Sequence, residues 1–263
     1  MGFEPPSFPQ PPTFSDPPAG TLRLESSRVD VWRATLSPRE DSLRELEGTL
    51  SEDERERAGR FRFERDRVRF TAARGTLRAL LGRYLDSDPS AFRFRYLEHD
   101  KPKLVEGSTR PVVEFNVSHS ADVGLFAFTL GDDVGVDVEE MRPDRDLLGI
   151  ADRFFSRREI ESLRAADERE RESVFFSMWT RKESYLKARG VGISLSLETI
   201  DVSERLRSGV VDLRIDGDDD SASWCLVDLD AGGGFKAALC ANSAVSEIRL
   251  WSFRQTMSRG AGR

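Results

Sequence analysis

Gly135-Val136-Asp137-Val138-Glu139-Glu140, read with Trp179-Thr180-Arg181-Lys182-Glu183-Ser184-Tyr185-Leu186-Lys187, decides how this chain folds. In the first stretch apolar and acidic residues alternate. That predicts a strand with Asp137 and Glu139 on one face and Val134, Val136 and Val138 on the other. The second reads as a helix, where a spacing of four stacks Glu183 and Lys187 on one side. Three carboxylates and two lysines, Lys182 and Lys187, on two regular elements suit a divalent cation and a phosphate-rich substrate. Oxygen donors with no cysteine nearby favour Mg²⁺ over zinc. Alone, Asp137-x-Glu139 equally describes a solvated strand face, and Glu183 with Lys187 an ordinary helix ion pair.

Working outward, residues 123–130 form an apolar strand, and Gly131-Asp132-Asp133 predicts a hairpin turn into 134–139. Residues 150–155, 156–166 and 174–189 read as helices, the last with Gly190 as its stop. Strands follow at 199–202, 223–228 and 234–241. The acidic turn at 216–220 lacks the glutamate that closes a calcium loop and reads as a solvated connection. The first half has the same plan: a strand at 29–32, helices over 44–66 and 71–85, a strand at 92–96 and a turn at 99–102. Strand, helices and strands occurring twice predict an α+β fold of two similar subdomains, 21–130 and 131–255. Residues 1–20 hold seven of the twelve prolines and read as a disordered tail; 256–263 read as a flexible one.

With 38% hydrophobic and 33% charged residues the chain reads as globular, and no apolar run nears the ~18 residues of a membrane helix. The start carries no basic segment leading into an apolar one, so no secretory signal is expected. Cys225 and Cys240 lie in apolar runs without CxxC spacing, which predicts reduced thiols in a cytoplasmic protein. The net charge of −7 hides a basic stretch: residues 51–95 hold twelve arginines against eight acidic residues. It reads as a solvated face of Glu–Arg pairs or as a phosphate site. Nucleic acid is disfavoured by the acidic total and by the lack of a recognition motif. In Phe115-Asn116-Val117-Ser118-His119-Ser120, neighbouring side chains on a strand face opposite ways. No GxSxG elbow is present either, so phosphate donors fit better than a Ser–His nucleophile.

FNVSHS (115–120), GVDVEE (135–140) and WTRKESYLKARGVGISL (179–195), in this order and spacing, resemble the three signature blocks of the 4′-phosphopantetheinyl transferases. The likeness is to the large single-chain type that activates surfactin synthetase. RFRFERDRVRF, TLRALL, DKPKL, RFFSRREIESL and GFKAALCA extend it over roughly residues 57–241. The resemblance implies a pseudo-twofold pair of α+β subdomains with coenzyme A in the cleft between them. The reaction it implies moves the phosphopantetheine arm onto a serine of an apo acyl or peptidyl carrier protein, releasing adenosine 3′,5′-bisphosphate, as in secondary-metabolite biosynthesis.

By position, the resemblance gives Asp137, Glu139 and Glu183 to Mg²⁺, and Ser118 and His119 to the coenzyme phosphates. Lys101, Arg57 and Arg69 would surround the nucleotide, and Lys182 and Lys187 flank the metal-binding glutamate. Glu183 would take the serine proton, directly or through water, while Lys187 steadies the leaving group; Glu159 is a second candidate base. Two positions depart from the pattern: Asp100 stands where the family has glycine, and Glu54 where some members have a basic residue. Carrier docking is expected near 154–163, where Arg157 and Arg158 would steer an acidic partner, with the chain acting as a monomer. The rival readings are a catalytically silent carrier-binding module and a Mg²⁺-dependent pyrophosphate or nucleotide hydrolase.

Overall fold

The structure, a computed structural model, describes residues 11–18, 22–96, 102–105, 112–142, 146–190, 196–206, 208–216 and 223–254. Its first half runs β1 (Arg28–Thr35), α1 (Glu40–Gly48), α2 (Glu52–Gly59), α3 (Glu64–Leu85), β2 (Phe94–Tyr96), β3 (Pro102–Leu104), β4 (Val113–Ser120) and β5 (Val123–Leu130). The second half runs β6 (Val134–Glu140), α4 (Leu147–Phe154), α5 (Arg157–Ala165), α6 (Glu168–Arg189), β7 (Ile200–Asp201), β8 (Arg214–Ile215), β9 (Trp224–Leu229), β10 (Phe235–Asn242) and β11 (Glu247–Ser252). Two main sheets form, ordered β11-β1-β5-β4 and β6-β10-β9. The α+β expectation holds.

Alternation along the strands builds the layers. Val29, Val31, Leu125 and Ala127 face across to Val136, Val138, Val227 and Leu239 in a core between the sheets. Trp32, Ala34, Phe126 and Phe128 point the other way, under α1 and α3. Ala238, Cys240 and Leu226 pack beneath α4, α5 and α6. Burying side chains of this size contributes roughly 1.5–3 kcal/mol each before chain entropy is charged against it. Both cysteines are free and buried, as their sequence setting implied.

Three expectations change. The strand pair 123–130 and 134–139 is not a hairpin: β5 pairs with β1 and β4, and β6 with β10. The tight turn lies instead at Ala121-Asp122, where Ala121 takes φ +47° and Ser120 pairs with Val123. Gly131, at φ +73°, carries the chain from one sheet to the other. Next, β11 runs parallel to β1, so the end of the chain completes the first half's sheet. Its Arg249 is paired with the buried Asp30 at 2.6 Å. Finally, residues 11–18 do not stand apart as a detached tail. Ser15 bonds along β11, donating to Leu250 O at 3.1 Å and accepting Ser252 N–H at 2.7 Å, while Phe14 packs on the inter-sheet core. Thr13 to Ser15 lie between Pro12 and Pro17 and keep the N–H groups that proline lacks. The acidic turn at 217–220 and the tail from 255 onward lie outside the described residues.

Candidate active site

The edges of the two sheets meet where β4 lies beside β6, and side chains replace the usual backbone ladder there. Asn116 Oδ1 accepts Val136 N–H at 3.0 Å and Ser120 Oγ accepts Glu140 N–H at 3.0 Å. Ser118 Oγ donates to Asp137 Oδ1 at 2.8 Å, and Ser120 Oγ to Glu139 Oε2 at 3.0 Å. An i, i+2, i+4 run of short polar side chains thus aligns the carboxylates of β6. Above them lies α6, and its approach depends on Gly135: a Cβ there would fall 2.0 Å from Ser184 O and 2.4 Å from Ala188 N. Gly190, at φ +66°, ends the helix in the left-handed region.

Trp179, Glu183 and Lys187 recur every fourth residue on α6 and line a cavity of about 400 Å³ with Val117, Ser118, His119, Asp137 and Glu139. Lys187 Nζ donates to Asp137 Oδ1 at 2.6 Å and to Ser118 Oγ at 2.9 Å. Asp137 is buried, and its second oxygen, Oδ2, has no hydrogen-bond partner among the described residues. Burial pushes the Glu183 carboxyl above the ordinary glutamate range; Asp137 and Glu139 add to this, and Lys187 opposes it. An orphaned carboxylate oxygen beside two further acidic side chains is what a hard cation would satisfy. Among the described residues, no three Asp, Glu, His or Cys side chains form a cage for an ion by themselves.

Val117 and His119 also line a neighbouring pocket of about 190 Å³, together with Arg57, Phe70, Ala73, Arg74, Leu77 and Pro102. The Arg74 guanidinium lies 5.7 Å from the Phe70 ring and 5.3 Å from the Tyr96 ring; Arg57 lies 5.5 and 5.8 Å from the same rings. His119 is held below the usual imidazole pKa by desolvation, then by Lys187, Arg74 and Arg69. Its ring is therefore neutral at pH 7.

Of the sequence candidates, Asp137, Glu139, Glu183, Lys187, Ser118 and His119 share the first cavity, and Arg57 lines the second. Arg69 lines neither; it is engaged with Asp122 at 2.8 Å. Lys101 lies outside the described residues. Two candidates are corrected. Lys182 is buried and turned away from the cavity, 2.8 Å from Glu159 and donating to Leu197 O at 2.8 Å and to Ile200 O. One helical step is 100°, so a side chain next to Glu183 leaves its face. Glu159 is buried with it, accepts the N–H groups of Ser156 (2.7 Å) and Val202 (3.1 Å), and lines neither pocket. Glu54, the departure noted above, is likewise buried, against Arg78.

Arg74 and Phe70 escaped the sequence reading, although Phe70-x-x-x-Arg74 is a helical i, i+4 pair. Ser120 escaped it too, although polar alternation on an edge strand is a legible signal.

The site thus sets an acidic notch beside a basic, aromatic-lined pocket. Comparison with known proteins gives the family. A model described as 4′-phosphopantetheinyl transferase, N-terminal, matches residues 34–129, and one described as the 4′-phosphopantetheinyl transferase superfamily matches 133–240. The 4′-phosphopantetheinyl transferase HetI of Nostoc sp. is 42% identical over 187 residues, 71% of this chain and 78% of that protein. The 4′-phosphopantetheinyl transferase Sfp of Bacillus subtilis is 33% identical over 193 residues, 73% of this chain and 82% of that one. A solved Chronobacterium ammoniagenes ACPS-CoA complex matches with TM-score 0.34 and 20% identity, over 42% of this chain and 96% of that one, a likeness too slight to add to these. The chain belongs to the 4′-phosphopantetheinyl transferase superfamily, of the large single-chain type, and is a transferase.

Proposed function

We propose that the cleft between β4 and β6 performs the family's reaction with coenzyme A, Mg²⁺ and an apo carrier domain, and that Asp137, Glu139 and Glu183 hold the cation. The observation that carries this is the unpartnered, buried Oδ2 of Asp137, in a cavity shared with Glu139, Glu183 and Lys187. Bound there, Mg²⁺ would supply charge neutralisation at the coenzyme pyrophosphate.

The carrier serine Oγ attacks the phosphorus bearing the pantetheine arm. The bond to the nucleotide-side oxygen breaks, and adenosine 3′,5′-bisphosphate leaves. Glu183 takes the serine proton, directly or through water. Lys187, steadied by Ser118 and Asp137, meets the developing negative charge on the leaving group. His119 donates an N–H to a phosphate, with Arg57, Arg69, Arg74 and Lys101 around the nucleotide. Stacking of Arg57 and Arg74 with Phe70 and Tyr96 keeps two guanidiniums oriented for it.

The pseudo-twofold reading of the fold is supported by two family models that match successive halves and by a 22-residue helix in each. For docking, Phe154 lies 6.1 Å from the cavity-lining Trp179, and the next helix presents Arg157, 93% exposed, and Arg158. Such a corner suits an acidic carrier helix. One chain completes the cleft, so the working unit is a monomer.

The test is to incubate the protein with CoA, Mg²⁺ and apo carrier and to weigh the carrier. A gain of about 340 Da, the phosphopantetheine group, supports transfer. CoA cleavage with an unchanged carrier would make this a hydrolase, and intact CoA with an unchanged carrier would leave a binding module.

A further inference from the structure

Glu159 and Lys182 belong to a device that the chain builds twice. Helix α5 opens on a capping box in which Glu159 accepts Ser156 N–H and Ser156 Oγ accepts Glu159 N–H. The same glutamate pairs at 2.8 Å with Lys182 on α6. Lys182 then donates to Leu197 O and Ile200 O, in the segment beyond that helix. In the first half α2 opens on the capping box of Ser51 and Glu54. Glu54 pairs at 2.7 Å with Arg78 on α3, and Arg78 donates to Pro89 O (2.9 Å) and Phe92 O (3.1 Å) beyond that helix. The circuit is the same in both halves: capping glutamate, cation on the next long helix, carbonyls of the following segment. All four charged side chains are at most 1% exposed.

In the first copy neither Glu54 nor Arg78 lines either compartment of the site. The device is therefore structural in origin. What differs is what the second copy supports. Lys182 Nζ lies 5.5 Å from the Phe155 ring, that ring lies 6.4 Å from Trp179, and Trp179 lines the catalytic cavity. The same clamp fixes the start of α5, where Arg157 and Arg158 stand.

We propose that Glu159 and Lys182 are positioning residues: together they hold the α5 start and the Phe155–Trp179 wall so that the carrier serine meets Glu183. Neither touches coenzyme A and neither moves a proton. This rests on the transferase reading of the cavity. A buried pair of opposite charges is replaceable by an apolar pair of similar volume, whereas a residue with chemistry to perform is not.

The experiment measures carrier kinetics, the pH profile of kcat and calorimetric CoA affinity with Mg²⁺. The variants are Glu159→Gln, Lys182→Met, the double Glu159→Leu/Lys182→Met and the first-half control Glu54→Leu/Arg78→Met. Each single variant should raise carrier KM about tenfold, with CoA affinity within about twofold and the pH profile unmoved. The apolar double should return carrier KM to within about threefold of wild type, and the control should leave it unchanged.

A loss of about 10³-fold in kcat at unchanged KM, not recovered in the double, would make Glu159 a base and overturn the inference. So would a tenfold loss of CoA affinity in Lys182→Met, or an equal KM rise in the control. If a single variant does not fold, the double decides: near-native kinetics without either charge supports the clamp, and inactivity contradicts it. A wild-type chain that binds CoA yet modifies no carrier would fail the transferase reading itself, and the inference with it.

Discussion

Helices α3 and α6 are each 22 residues long, stop on a left-handed residue (Asp86 at φ 48°, Gly190 at φ 66°) and bury a clamped cation, Arg78 or Lys182. With those cations taken as equivalent, Trp179, Glu183 and Lys187 fall opposite Gly75, Ala79 and Arg83. On α3 the first position of that stripe is crowded by α1, where a Cβ on Gly75 would lie 2.5 Å from the Leu46 Cβ, while Ala79 and Arg83 line a separate cavity of about 840 Å³. On α6 the stripe faces β4 and β6 and carries Trp179, Glu183 and Lys187. The two halves share what holds a helix in place and differ in the side chains that one face of it carries. Fold and chemistry are thus separable one helical face at a time.

The largest expected effect follows from that difference. Glu183→Gln should lower transfer by about 10³-fold with metal-free CoA binding kept, while Arg83→Gln, at the matched position of Lys187, stays within about twofold; steady-state kinetics reads both. Full transfer by Glu183→Gln would end its role as base and ligand.

A glycine pair comes next. Gly135→Ala and Gly75→Ala each force a methyl into an occupied contact, and each should cost about 1–3 kcal/mol in denaturant melts. Only Gly135→Ala should also lower kcat, because only there does the helix forced away carry Glu183. Equal kcat in both variants would mean that α6 seating is not critical.

A smaller effect is set by pH. Desolvation and the neighbouring cations lower the pKa of free His119, and a bound phosphate dianion would raise it again, so CoA binding takes up a proton. The extra affinity is fully present below the free pKa and is lost as pH rises through the bound one. Between about pH 6 and 8 calorimetry should show a decline of about threefold or more that His119→Ala abolishes. The smallest change is expected from Arg157→Glu/Arg158→Glu: a several-fold rise in carrier KM that fades at high salt, with CoA affinity untouched.

Much of this comparison was legible in the sequence, and the exceptions have physical causes. Residues 123–130 form β5 with those bounds, and the alternation in 134–139 put Asp137 and Glu139 opposite the valines, because both patterns are local. The partner of β6 was not legible: β10 lies about a hundred residues away, and a Gly-Asp-Asp turn marks a change of direction without naming the next neighbour. Strand β11 and residues 11–18 escaped for the same reason, their ladder partners being at the other end of the chain. Motif adjacency drew Lys182 into the site, and the 100° helical step took it out. Glu159, a second candidate base by the family likeness, is turned inward by its capping role. Arg74 lay hidden among the other arginines of the basic stretch, since charge counting does not say which guanidinium meets a pocket.

The most direct test of the site spanning the two sheets is Mn²⁺ binding, followed by electron paramagnetic resonance with CoA present. The wild type should bind one ion per chain, and Asp137→Asn and Glu183→Gln should each weaken it about tenfold or more while both variants keep the wild-type melting temperature within a few degrees. Undiminished Mn²⁺ binding in both variants would contradict the account.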